Sequence, residues 1–171
     1  MNFAELKRKL TVGTKLIVTY PDGKVLNREI IISRATQVVM IDPTKDDADE
    51  RRKQGKGSWL EFPAASLVDI IDNDFSIYWP GYREMTVEEK AVYDGRPIDK
   101  EQSMNDAMTD GSTMFWREKK YFTDKGMTHL LGYVTGKAES VDHNKRTDDG
   151  YFMVRSNKVK GALCMTYTIL E

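Results

Sequence analysis

Trp116-Arg117-Glu118-Lys119-Lys120-Tyr121 is the run whose residue types best suit contact with nucleic acid. Lysine and arginine neutralise phosphates and exposed rings stack on bases, which makes Trp116, Arg117, Lys119 and Lys120 candidate binding residues. The alternative puts Trp116 and Phe122 in the core, with the lysines as their solvated flanks. A second aromatic set, Trp59, Tyr78, Trp79 and Tyr82, runs up to Arg83. Aromatic side chains with a polar tip anchor interfaces as readily as cores. In a small barrel about half of these aromatics must point inward, and the remainder, with Arg83 beside them, make Trp79, Tyr82 and Arg83 candidates for a recognition surface.

Catalytic equipment is sparse. The chain holds two histidines, His129 and His143, and one cysteine, Cys164. Gly132-Tyr-Val-Thr-Gly-Lys137 has three residues between its glycines where a phosphate-binding loop needs four, and Ala138 stands where a hydroxyl would hold magnesium. It reads as a hairpin turn. Asp142-His143-Asn144 lacks the regular acidic spacing of a calcium loop because Arg146 interrupts it. Cys164 alternates within a strand and reads as a small core residue. Pro97-Ile-Asp99 followed by Glu118-Lys-Lys120 resembles the pattern of metal-dependent nucleases. That resemblance implies two carboxylates on magnesium and a lysine that positions the attacking water. Here the proline is not adjacent to Asp99, and Asp99 falls in a polar stretch rather than on a strand. No catalytic residue, metal ligand or cofactor is therefore assigned.

The 171 residues suffice for one domain or two small ones. With 40% hydrophobic and 31% charged residues the composition is globular. No apolar run reaches the length a membrane helix needs and none follows Met1 as a secretory signal would. One cysteine and no Asn-x-Ser/Thr acceptor fit a reducing cytoplasm. The net charge of −1 is unevenly spread: residues 1–41 hold seven basic and three acidic groups, residues 62–110 four and eleven, residues 111–171 ten and seven. The acidic middle reads either as an interaction surface or as a solvated face.

Phe3, Leu6 and Leu10 lie three and four apart, so a short amphipathic helix capped by Asn2 is expected over residues 2–10. Strands are expected over 15–20, 25–33, 37–42, 58–62 and 74–79, with Pro21-Asp-Gly-Lys24 as a tight turn and Pro80-Gly81 closing the unit. Residues 43–57 are charged, lack aliphatics and hold two glycines, which predicts a protruding mobile loop. Thr86-Val-Glu-Glu89 is a capping box at the start of a helix through about Tyr93. Residues 114–125 fit either a helix ending at Gly126 or a strand. Residues 135–149 read as a polar loop, and strands are expected over 151–155 and 162–170. The expected fold is α+β: a small curled antiparallel sheet or barrel behind a short N-terminal helix (1–95), a linker (96–112) and a second small α+β unit (113–171).

Glu5-Leu-Lys-Arg-Lys-Leu-Thr-Val-Gly-Thr14, Trp59-Leu-Glu-Phe-Pro63 and Ile77-Tyr78 leading to Arg83-Glu-Met-Thr-Val-Glu-Glu89 resemble uncharacterised accessory proteins of phages and mobile elements from Gram-positive bacteria. The resemblance covers the first half of the chain. It implies a small protein that binds host machinery, such as an anti-defence inhibitor. The leading expectation is a non-enzymatic interaction protein with a host or phage protein partner. Nucleic-acid binding through the first unit and the 116–121 cluster is the alternative, and a metal-dependent nuclease the third.

Overall fold

The computed structural model describes residues 1–87, 89–90 and 139–171. Among them are two α-helices and an antiparallel sheet of eight strands, an α+β architecture. Expectations that fall on 91–138 lie outside the described residues. These include the 96–112 linker, the 114–125 element, Asp99, Glu118, His129 and the 132–137 turn.

The chain divides into two compact units, residues 1–79 with 160–171, and residues 80–159. In the first unit, helix α1 (Phe3–Lys9) is capped by Asn2, whose side chain accepts from the Glu5 N–H while the Glu5 carboxylate accepts from the Asn2 N–H. That reciprocal box satisfies two otherwise orphan donors. Strands β1 (Lys15–Thr19), β2 (Val25–Ser33) and β3 (Gln37–Ile41) follow as hairpins. Leu6 of α1 and Leu10, its C-cap, pack with Leu16, Val18, Ile30, Val38 and Met40, which share one face of this sheet.

Residues 43–57 are not a mobile loop. They contain helix α2 (Ala48–Gln54), terminated by Gly55 in the left-handed conformation at φ 65°. Ala48 is its one buried side chain. The helix is tied down by charge: Arg52 reaches both oxygens of Glu29 on β2 at 2.9–3.0 Å, and Arg51 reaches Asp47 at 2.6 Å. Glu29 pairs across the ladder with Ile41, so α2 attaches to the sheet face opposite α1.

Strand β4 (Ser58–Glu61) pairs with β3 and ends the sheet order. Its approach is so close that a Cβ on Gly57 would sit 2.2 Å from the Met40 carbonyl oxygen. Gly57→Ala must displace backbone. We expect it to destabilise by about 1–3 kcal/mol, read as a lowered denaturant midpoint. A neutral result would mean that β3 and β4 part without cost.

A single 3₁₀ turn (Ala65–Leu67) leads into β5 (Val68–Ile71), too short to stand out in the sequence. Strand β6 (Asp74–Arg83) does not stop at Pro80-Gly81 but runs through them into the second unit. Proline costs a strand only the ladder bond its missing N–H would have made.

The polar stretch 135–149 contains strand β7 (Glu139–Arg146), and the two expected terminal strands are one, β8 (Phe152–Leu170). Residues 160–171 belong to the first unit, where β8 pairs with β1 and puts Tyr167 opposite Val18. Phe152, Val154 and Ser156 are buried at one end of β8, Tyr167 and Ile169 at the other, so the buried parity switches along the strand. The sheet order β4-β3-β2-β1-β8-β6-β5, with β7 on β8, does not close on itself, so the barrel expected as one alternative is not formed.

Candidate functional site

Arg83 ends β6 in the second unit, two residues before buried Met85. The expected capping box follows: the Glu89 N–H donates to the Thr86 hydroxyl at 3.2 Å, and the Thr86 N–H donates to Glu89 Oε1 at 2.9 Å. The box fixes the Glu89 carboxylate beside Arg83, whose Nη1 and Nη2 donate to its two oxygens at 2.6 and 3.1 Å. From the other side β7 supplies Glu139, which accepts from Arg83 Nε at 2.6 Å and also contacts Nη2. Nη1 donates in addition to the Glu84 carbonyl at 3.0 Å. All five donors of the guanidinium are engaged. Arg83 is therefore an internal ion holding two buried carboxylates and has no donor left for a partner.

Burial works to raise the Glu89 carboxyl, but the Arg83 fork and the Thr86 N–H outweigh it and hold the group below its usual range. Lys158 lies 3.2 Å from the outer oxygen of Glu139. Tyr82 donates to Asp142 Oδ2 at 2.8 Å, and Lys145 sits 3.9 Å above its ring. Tyr82, like Arg83, makes its polar contacts inside the second unit. Trp79 behaves differently, with 54% of its surface exposed. Trp116, Arg117, Lys119 and Lys120 lie outside the described residues.

In the first unit a groove of about 620 Å³ opens beside α2, its lining including Lys24, Leu26, Arg28, Met40, Asp42 and Lys45. Arg28 alternates with Leu26 and Ile30 on the face that also carries Leu16, its ladder partner. Its side chain is only 16% exposed. An arginine at core-facing parity holds a position that charges seldom occupy without a reason. A shallower groove of about 390 Å³ is lined by Phe3, Ala4, Lys7, Arg8, Arg34 and Ala35, three of them basic and none acidic.

Among the described residues, no three His, Cys, Asp or Glu side chains gather into a set able to hold a metal ion. Cys164 is half-buried, and burial pushes its thiol up, away from the thiolate a nucleophile needs. His143 stands on β7. No helix among the described residues is long and apolar enough to cross a membrane. No family model, curated protein or solved structure matches the chain.

Proposed function

We propose that this chain is a non-enzymatic interaction protein that binds a protein partner in the cytoplasm, in the manner of a phage or mobile-element accessory factor acting on host machinery. The observation that carries the reading is Trp59, 62% exposed on β4, the strand that ends the sheet order. An indole left in water on an edge strand contributes nothing to its own fold comparable to what it can contribute to an interface. Tryptophan is the residue type most enriched among interface hot spots. Trp79 offers a second exposed indole on β6.

Trp59→Ala is expected to weaken partner binding by about 2 kcal/mol or more, roughly 30-fold in Kd. The partner would be isolated on the immobilised wild-type protein from a bacterial host extract, identified, purified and titrated against both proteins. Circular dichroism should show the variant folded, because Trp59 is not a core residue. A partner whose Kd is the same for wild type, Trp59→Ala and Trp79→Ala would count against this surface.

Nucleic-acid binding is the second reading, favoured by the acid-free groove at Lys7, Arg8 and Arg34. It requires an affinity that falls steeply with salt, because each neutralised phosphate releases counterions.

A further inference from the structure

We propose that the groove beside α2 is a binding site for a small phosphate monoester, with Arg28 as the residue that grips the phosphate and Leu26 as apolar lining beside the rest of the ligand. The argument starts from Arg28. A guanidinium on the apolar face of a sheet costs several kcal/mol unless its donors are met. Of its five N–H groups, one donates to the Asn27 carbonyl at 2.9 Å. The nearest carboxylate, Asp42, is 4.0 Å away, beyond hydrogen-bond distance. Asp42 turns its Oδ1 to Thr44, accepting from the N–H at 2.9 Å and the hydroxyl at 2.6 Å, and leaves its Oδ2 facing Arg28 as a long, single-oxygen ion pair. The protein thus holds a guanidinium at the groove wall without giving it a bidentate partner. The planar fork fits two oxygens of one oxyanion.

Charge selects among oxyanions. The groove is lined by Lys24, Arg28, Lys45 and Arg51 against Asp42 and Asp47. Arg51 and Asp47 neutralise each other at 2.6 Å. Three cations and one carboxylate remain, a surplus of two positive charges. A phosphate monoester carries about −1.5 to −2 at neutral pH and cancels that surplus, whereas a carboxylate leaves half of it. The volume lies within the usual range for small-ligand sites, and half-buried Leu26 gives the lining an apolar contact for a body attached to the phosphate.

The test titrates the whole protein calorimetrically at low salt with adenosine monophosphate, adenosine and inorganic phosphate. The nucleotide should bind most tightly, inorganic phosphate more weakly, and adenosine without measurable heat. Arg28→Lys keeps the charge but loses the fork and should weaken nucleotide binding by about tenfold. Arg28→Met should weaken it further. Lys24 and Lys45 are exposed, so Lys24→Ala/Lys45→Ala should fold normally and still lose about tenfold in affinity, which decides the matter if the Arg28 variants do not fold. The proposal is overturned if no phosphate probe binds at millimolar concentration, if adenosine binds as well as its monophosphate, or if binding is unchanged in the double lysine variant. A 5′-phosphorylated oligonucleotide binding much more tightly than the mononucleotide would overturn the small-molecule assignment in favour of a nucleic-acid end.

Discussion

Arg83→Met is expected to destabilise the unit formed by residues 80–159 by about 3–5 kcal/mol, the cost of leaving a buried ion without its partner. The magnitude follows from the carboxylates rather than from the arginine. Glu89 and Glu139 each expose only 3% of their side chains, and Arg83 donates to both. Removing the guanidinium leaves Glu89 buried without its ion pair, and Glu139 with Lys158 only at its outer oxygen. Arg83→Lys keeps one charge but not five directed donors, so it should recover only part of the loss. Arg83→Met combined with Glu89→Gln and Glu139→Gln should recover more, because the uncompensated charge disappears. Denaturant unfolding of the four proteins measures this directly, and a loss below about 1 kcal/mol for Arg83→Met would place the cluster among ordinary surface pairs.

The same cluster predicts a pH dependence with a definite sign. The Glu89 carboxyl is held below its unfolded value of 4.5. A depressed carboxyl contributes stability that is fully present above the unfolded value and is lost as pH falls through the folded one. Wild-type stability should therefore decline on acidification below about pH 4.5, and the decline should be shallower in the triple variant.

What the sequence disclosed of this architecture depended on which force built each element. Where apolar periodicity did the work, the reading was close: Leu6 and Leu10 define α1, and the alternating run from Val25 to Ser33 defines β2 with its observed ends. Where charge did the work, it failed. Helix α2 has a single buried apolar residue, Ala48, and is held by Arg51 to Asp47, Arg52 to Asp49 and Gln54 to Glu50. Spacings of three and four in a charged segment are a helical signature too, but a weaker one than an apolar stripe. Strand β7 has Val141 as its only aliphatic residue and pairs with β8 through a register jump between Asp142 and Arg146. Strand β8 reads in the sequence as two strands, over 151–155 and 162–170, yet is continuous in the fold, with its buried parity switching along it.

The candidate site divides in the same way. The Thr86–Glu89 box was legible because a capping box is a local motif, and it correctly placed Glu89 near a helix start. Glu139, 56 residues from Arg83, carried no local signal, so an arginine beside aromatics read as surface recognition when its donors in fact turn inward. Arg28 is placed at the groove wall, with a single carboxylate oxygen 4.0 Å away, only by the fold.

Phe75→Ala should be as damaging to the first unit as Arg83→Met is to the second, at about 3–5 kcal/mol. Phe75 is 1% exposed on β6 and stacks on Tyr167 of β8, with ring centroids 4.8 Å apart and planes 7° from parallel. Tyr167 faces Val18 across the ladder, and Phe75 faces Ile70, so the stacked pair links the packing of β1, β8, β6 and β5. Truncation deletes the transfer energy of a whole ring and leaves a cavity bounded by β-strands that cannot readily collapse. A stacked aromatic pair adds coupling of about 0.5–1.5 kcal/mol, so Phe75→Ala/Tyr167→Ala should cost less than the sum of the single variants by roughly that amount. An independent spectroscopic readout exists in the same pair. Burial, chiefly, pushes the Tyr167 hydroxyl up to about 12 from its ordinary 10.0. A raised tyrosine contributes stability that is present below pH 10 and lost as the pH climbs toward 12, so alkaline titration should destabilise the wild type in that interval. Removing Phe75 admits water to the phenol and should move its ionisation, followed by phenolate absorbance, back toward 10. If Phe75→Ala unfolds with less than about 1 kcal/mol of loss and the phenolate transition stays where it was, the stack is peripheral and the core of the first unit lies with α1 instead.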